Sequence, residues 1–214
     1  MKMAKKLAAV LLAGVLALSV LTACSGGAGP LTKDNVSDYM QDMAKLMGYD
    51  YTTNSEMTEA AQNAMTYLTN QASAGTYKSM DTAKAIRKIV EDDKGEIAAA
   101  IRTNNEYYYF LSFAVVNSYR TDLFNQGQTA IVAGTLMTGI QEISESAQTV
   151  EDEEDISAWF GVAEGTINGK KCMVAVYKND SDYIPGVGGA QIDHEKPDNG
   201  NGETSFPSSG TTTE

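Results

Sequence analysis

Histidine is almost missing from this chain. His194 is the only one in 214 residues, and it lies in a Gly- and Pro-rich stretch near the C-terminus. A Ser-His-Asp or Cys-His site would have to recruit its base from there, and zinc centres built on several His and Cys ligands have too few ligands to draw on. Cysteine is equally scarce, with Cys24 and Cys172 the only two, so there is no framework of disulfides. Basic residues are outnumbered, 16 Lys and Arg against 28 Asp and Glu, for a formal net charge of −12. That balance argues against nucleic acid as a partner, because phosphate recognition needs clustered Lys and Arg. It also argues against adhesion to anionic lipid through charge, and it suits solubility and spacing from a negative surface. No second long apolar run follows the one near the N-terminus, so no membrane span is expected in the rest of the chain.

What the N-terminus does contain is specific. Lys2, Lys5 and Lys6 make a positive start, and Leu7 to Leu21 is apolar apart from Gly14 and Ser19. A run of this length fits the core of a secretory signal and falls short of the ~20 residues of an ordinary membrane helix. It closes on Leu21-Thr22-Ala23-Cys24. This arrangement resembles the lipobox of bacterial lipoprotein precursors. The resemblance implies that Cys24 is diacylated, that residues 1–23 are cut away, and that the mature protein is lipid-anchored to the bacterial cell membrane, facing outside the cytoplasm. Loss of the three lysines then takes the net charge from −12 to −15. With Cys24 lipidated, Cys172 has no intramolecular partner. It sits in an apolar, strand-like run and is expected to be a buried small hydrophobe rather than a nucleophile.

The remaining chain divides by composition. Residues 24–33 form a flexible spacer, through Ser25-Gly26-Gly27-Ala28-Gly29-Pro30. Residues 34–180 make one globular domain, long enough to bury a sizeable core. Residues 181–214 form an acidic tail rich in Gly, Ser and Thr, with little apolar surface to stabilise an ordered state. Within the domain, Val36, Tyr39, Met40, Met43, Leu46 and Met47 fall on one face of a helix over 34–47, capped by Asp34. Met57, Ala60, Ala61, Ala64, Met65 and Leu68 do the same over 55–71, behind Asn54 or Ser55. A third helix is expected over 81–92, ended by Gly95, and a short one over 96–102. Residues 107–116 fit a buried strand, and 128–147 fit a helix weakened by Gly134 and Gly139. Asn168-Gly169 joins two apolar runs and predicts a hairpin over 159–178, pairing Gly161 with Val176, Ala163 with Val174, Gly165 with Cys172 and Ile167 with Lys170. Both faces of its second strand are apolar, so cover is needed on both sides. The expected fold class is therefore α+β, a helix-rich domain around a small antiparallel sheet, with an α-β-α sandwich as the arrangement that covers the hairpin.

Few residues present chemistry. Glu151, Asp152, Glu153, Glu154 and Asp155 could hold calcium through carboxylate oxygens, but the run lacks the alternating spacing and turn glycine of an EF-hand and also suits a solvated loop. Tyr107, Tyr108 and Tyr109 could line a groove for a sugar or peptide, or serve as core. Gly186-Val187-Gly188-Gly189 does not sit between a strand and a helix, so it is no phosphate loop, and no cofactor is expected.

Two segments carry a family resemblance. Asn54-Ser55-Glu56-Met57-Thr58-Glu59-Ala60-Ala61-Gln62, and the pair Phe160-Gly161-Val162-Ala163 with Val174-Ala175-Val176-Tyr177, are similar to the first helix and the closing hairpin of the CAP superfamily. That resemblance implies an α-β-α sandwich. The family's cleft carries two histidines and two acids, whereas no histidine lies between Cys24 and Tyr183 here, so no site residues carry over. Together these features point to a lipid-anchored domain that binds an extracellular protein, peptide or glycan without catalysis, with a degenerate CAP-like domain and a carboxylate metal module as alternatives.

Overall fold

The computed structural model describes residues 31–116, 125–144 and 157–179. The chain runs α1 (Lys33–Leu46), β1 (Asp50–Thr53), α2 (Ser55–Ala72), a 3-10 turn (Tyr77–Ser79), α3 (Thr82–Asp92), α4 (Lys94–Ile101), β2 (Tyr108–Val115), α5 (Asn125–Thr138), β3 (Gln141–Ser144), β4 (Ser157–Ile167) and β5 (Lys170–Asn179). The side chains of Asn125, Gln126 and Ser157 lie outside the described set.

Local chemistry explains where most elements start. Thr32, not Asp34, caps α1, accepting from the Asn35 amide at 3.2 Å, and Asp34 falls in the first turn, where its charge suits the helix dipole. Asn54 caps α2 at 2.8 Å, and Asp81 caps α3 at 3.0 Å. Gly95 does not end α3. The break is at Asp93, whose carbonyl already accepts from Ile97 in α4, and Gly95 lies inside α4. Asn168 (φ 49°) and Gly169 (φ 76°) both take the left-handed conformation of a type I′ turn. The hairpin they close has the expected register, with Gly161 opposite Val176 and Gly165 opposite Cys172.

The sheet has five strands in the order β1-β4-β5-β2-β3. It is mixed rather than purely antiparallel, because β1 pairs parallel with β4, Tyr51 opposite Ala158. The expected helix over 128–147 is also corrected: α5 stops at Thr138, and after Gly139 the chain turns into β3, which pairs antiparallel with β2.

Two cores lie on the two faces of the sheet. Phe160, Val162, Met173, Ala175, Tyr177, Tyr108 and Phe110 face α1 and α5. Ala163, Ile167, Cys172, Val174, Val176, Tyr109 and Leu111 face α2, α3 and α4. The hairpin is thus apolar on both sides because helices cover both sides, and the domain is an α+β fold layered α-β-α. On the first face Tyr51, Phe160 and Tyr177 form an aromatic trio with centroids 5.9–6.3 Å apart. The Tyr177 hydroxyl donates to the Leu136 carbonyl at 2.9 Å, tying β5 to α5. On the second face α2 lies directly on β4, and a Cβ at Gly161 would run into the Met57 carbonyl and the Thr58 amide nitrogen.

Candidate functional site: an open strand edge

β2 and β3 differ in length. β2 pairs with β5 along all of Tyr108–Val115, whereas β3 covers only Tyr109, Phe110 and Leu111. Ser112–Val115 therefore extend past β3, and on the edge away from β5 no strand lies beside them among the described residues. The direction of the free groups follows from the ladder. Val116 donates to Lys171 at 2.9 Å, which places 116 in a hydrogen-bonded pair with β5. In an antiparallel ladder such pairs alternate, so Phe113 and Val115 turn their N–H and C=O away from β5, toward the open edge.

A cleft of about 450 Å³ lies along this edge, within the size range of ligand sites. Phe113, Ala114 and Val115 contribute its floor. Ala83 and Arg87 come from α3, Thr135 and Gly139 from the end of α5, Gln141 from β3, and Asp81 and Lys170 from the α3 cap and the start of β5. One wall thus comes from each helix layer. Lys170 Nζ lies 3.1 Å from Asp81 Oδ2. That bond, with the Lys84 and Ala83 amides, holds the exposed Asp81 carboxyl below its usual range. Arg87 is exposed and makes no ion pair among the described residues. The Thr135 hydroxyl is turned back onto the Ile131 carbonyl at 2.8 Å. The site offers backbone donors and acceptors, an apolar floor and a guanidinium.

The tyrosines do not form one groove. Strand alternation sends Tyr108 into the α1/α5 core and Tyr109 into the α2–α4 core, at 8 % and 2 % exposure. Tyr107 alone is half-buried at the surface, at the opposite end of the sheet from the cleft. Its ring packs edge-on to Trp159 with centroids 6.0 Å apart, and Lys178 Nζ sits 4.3 Å above it while bridging to Glu56 at 3.1 Å. This cluster fastens the first turn of α2 to β4 and β5. Cys172 is fully buried, and burial pushes its thiol up to about 11. Cys24, the run Glu151 to Asp155 and the tail from 181 lie outside the described residues. Among the described residues no three His, Cys, Asp or Glu side chains converge to hold a metal, and no helix is long and apolar enough to cross a membrane.

Arg87, Phe113 and Lys170 were not legible as a site from sequence. The open edge exists because β3 starts only at Gln141, opposite Leu111, and the sequence pattern there continues the period of α5. Compared with family models, curated proteins and solved structures, the chain matches none, so its function rests on geometry and on the sequence itself.

Proposed function

We propose that this protein is a lipid-anchored extracytoplasmic domain that binds a partner without transforming it. The observation that carries the binding part is the cleft on the β2 edge, where Phe113 and Val115 turn peptide groups outward between two helix layers beside Arg87. The anchor is supported by Leu21-Thr22-Ala23-Cys24 behind a basic, apolar leader. The test is an array of extracellular-type glycans and peptides probed with the mature chain, followed by NMR on the binders. The expected result is saturable binding that shifts the resonances of Arg87, Phe113 and Gln141 and leaves the ligand's mass unchanged. Binding that shifts only other regions, or a ligand recovered chemically altered, would sink the proposal.

A second reading is a degenerate CAP-like domain without the histidine cleft. What supports it is a sheet between two helix layers with the hairpin Ser157–Asn179 inside it. For the acidic run, calcium calorimetry on the native chain and on one with residues 151–155 changed to serine separates a metal module from a solvated loop.

A further inference from the structure

We propose that the free edge of β2 over Ser112–Val115 takes up an extended acidic peptide segment of a partner protein, which adds to the sheet as a further strand. This rests on the reading of the cleft as a partner site and names what the partner presents.

Three observations select that occupant. First, the free groups are backbone groups. Phe113 and Val115 direct N–H and C=O outward, and no strand or turn bond among the described residues meets them. An unpaired edge of this kind is a template for another strand. Second, the edge is recessed. Its lining includes Ala83 and Arg87 of α3 on one side and Thr135 and Gly139 of α5 on the other. A single extended chain brings only itself to such an edge, whereas a second copy would have to bring its own helix layers with its β2. Third, the charge is one-sided. Phe113 and Val115 face the α2–α4 layer, and residues paired across a ladder share a face. Partner residues opposite Phe113 and Val115 therefore point toward the α3 wall, where Arg87 stands without an ion pair among the described residues. A carboxylate there meets the guanidinium, and Lys170 lies beside it, already shared with Asp81. The intervening partner residue points to Gly139 and Thr135, where a small side chain fits.

The test uses the full mature chain carrying Cys24→Ser and a displayed library of random nonapeptides. The expected binders carry an acid at one position or at two positions spaced by two, and avoid proline between them. Arg87→Gln should weaken them about tenfold or more, as expected for loss of a charge-assisted bond. Val115→Pro should do the same by removing an outward N–H, and because that N–H serves no internal bond the thermal midpoint should change little. N-methylation of the peptide should abolish binding in one alternating phase and spare it in the other. No enriched peptide, binders indifferent to both substitutions, or tolerance of N-methyl groups in both phases would overturn the proposal. So would Phe113 and Val115 amides that are protected in the free chain and lose protection when residues 180–214 are removed, which makes the chain's own tail the occupant. Concentration-dependent protection of the same amides would overturn it in favour of a second copy. If ligands shift the cleft but both N-methyl phases bind equally, strand addition fails while partner binding stands.

Discussion

Gly161 and Gly165 lie on the same face of β4 and meet α2 in different ways. At Gly161 an added methyl group would strike backbone, the Met57 carbonyl and the Thr58 amide, neither of which can rotate away. At Gly165 it would come within 2.8 Å of Cγ and Sδ of Met65, a flexible side chain. Gly161→Ala is therefore expected to cost about 2–3 kcal/mol, the upper part of the range for overpacking, and Gly165→Ala about 1 kcal/mol or less. Urea unfolding of the two variants checks this, and equal losses would contradict the backbone contact. Cys172 gives a pH signature at the same scale. Burial raises its thiol from an ordinary 9.0 to about 11. The folded state then keeps a proton that the unfolded state gives up, so this contribution to stability is complete below pH about 9 and is lost as pH rises toward about 11. Cys172→Ala should flatten that part of the stability–pH curve, read from urea midpoints between pH 8 and 11. An unchanged slope would mean that other groups, Tyr67 among them, dominate the alkaline limb.

Elements differ in how far their sequences announce them. The β4–β5 hairpin was legible to the residue because Asn168-Gly169 allows one turn type and that turn fixes every pair behind it. Its dependence is local. Gly169 has φ 76° with open space around its Cα, so Gly169→Ala meets no clash but must hold a left-handed backbone. The expected loss is about 1 kcal/mol, seen as a lowered thermal midpoint with an unchanged circular dichroism spectrum. No change would mean that the turn follows the strands rather than setting them. Helices α1 to α3 were legible from apolar spacing because each buries one stripe, although Leu46, expected on the α1 stripe, is 70 % exposed. β1 was not, since only Tyr51 of its four residues is buried and the parallel partner, β4, lies a hundred residues away. β3 was hidden for another reason: Ile140 and Ile143 keep a spacing of three after Leu136 and Met137, so a helical period runs into a strand. The candidate site inherits this illegibility. It is defined by where β3 has not yet begun, and a pattern of residues along one segment carries no mark of a neighbour that starts late. Tyr107, Tyr108 and Tyr109 show the converse, since adjacency in sequence became separation across the sheet.

For the whole molecule, the sign and size of the charge decide what kind of anchor can work. If residues 1–23 are removed as proposed, the chain carries a net −15, and an anionic bilayer would repel it. One acyl chain alone gives only marginal, reversible attachment, whereas two chains hold a protein stably. The proposed diacylglyceryl group on Cys24 would supply two. On that proposal eight residues, Ser25 to Thr32, would lie between the lipid and the first turn of α1 at Lys33, a reach of at most about 28 Å. On the proposed anchor, the domain would be held close to a surface that its charge avoids, which would favour contact with partners over contact with lipid. The expected outcome is retention of the full-length protein in the membrane fraction that high salt does not reverse, with the mature N-terminus heavier than the bare chain by a lipid modification. Cys24→Ser should release the protein or leave it with its leader uncut. Release of the unaltered protein by salt alone would show attachment by charge, and unchanged retention and cleavage of the Cys24→Ser variant would rule out lipid on Cys24.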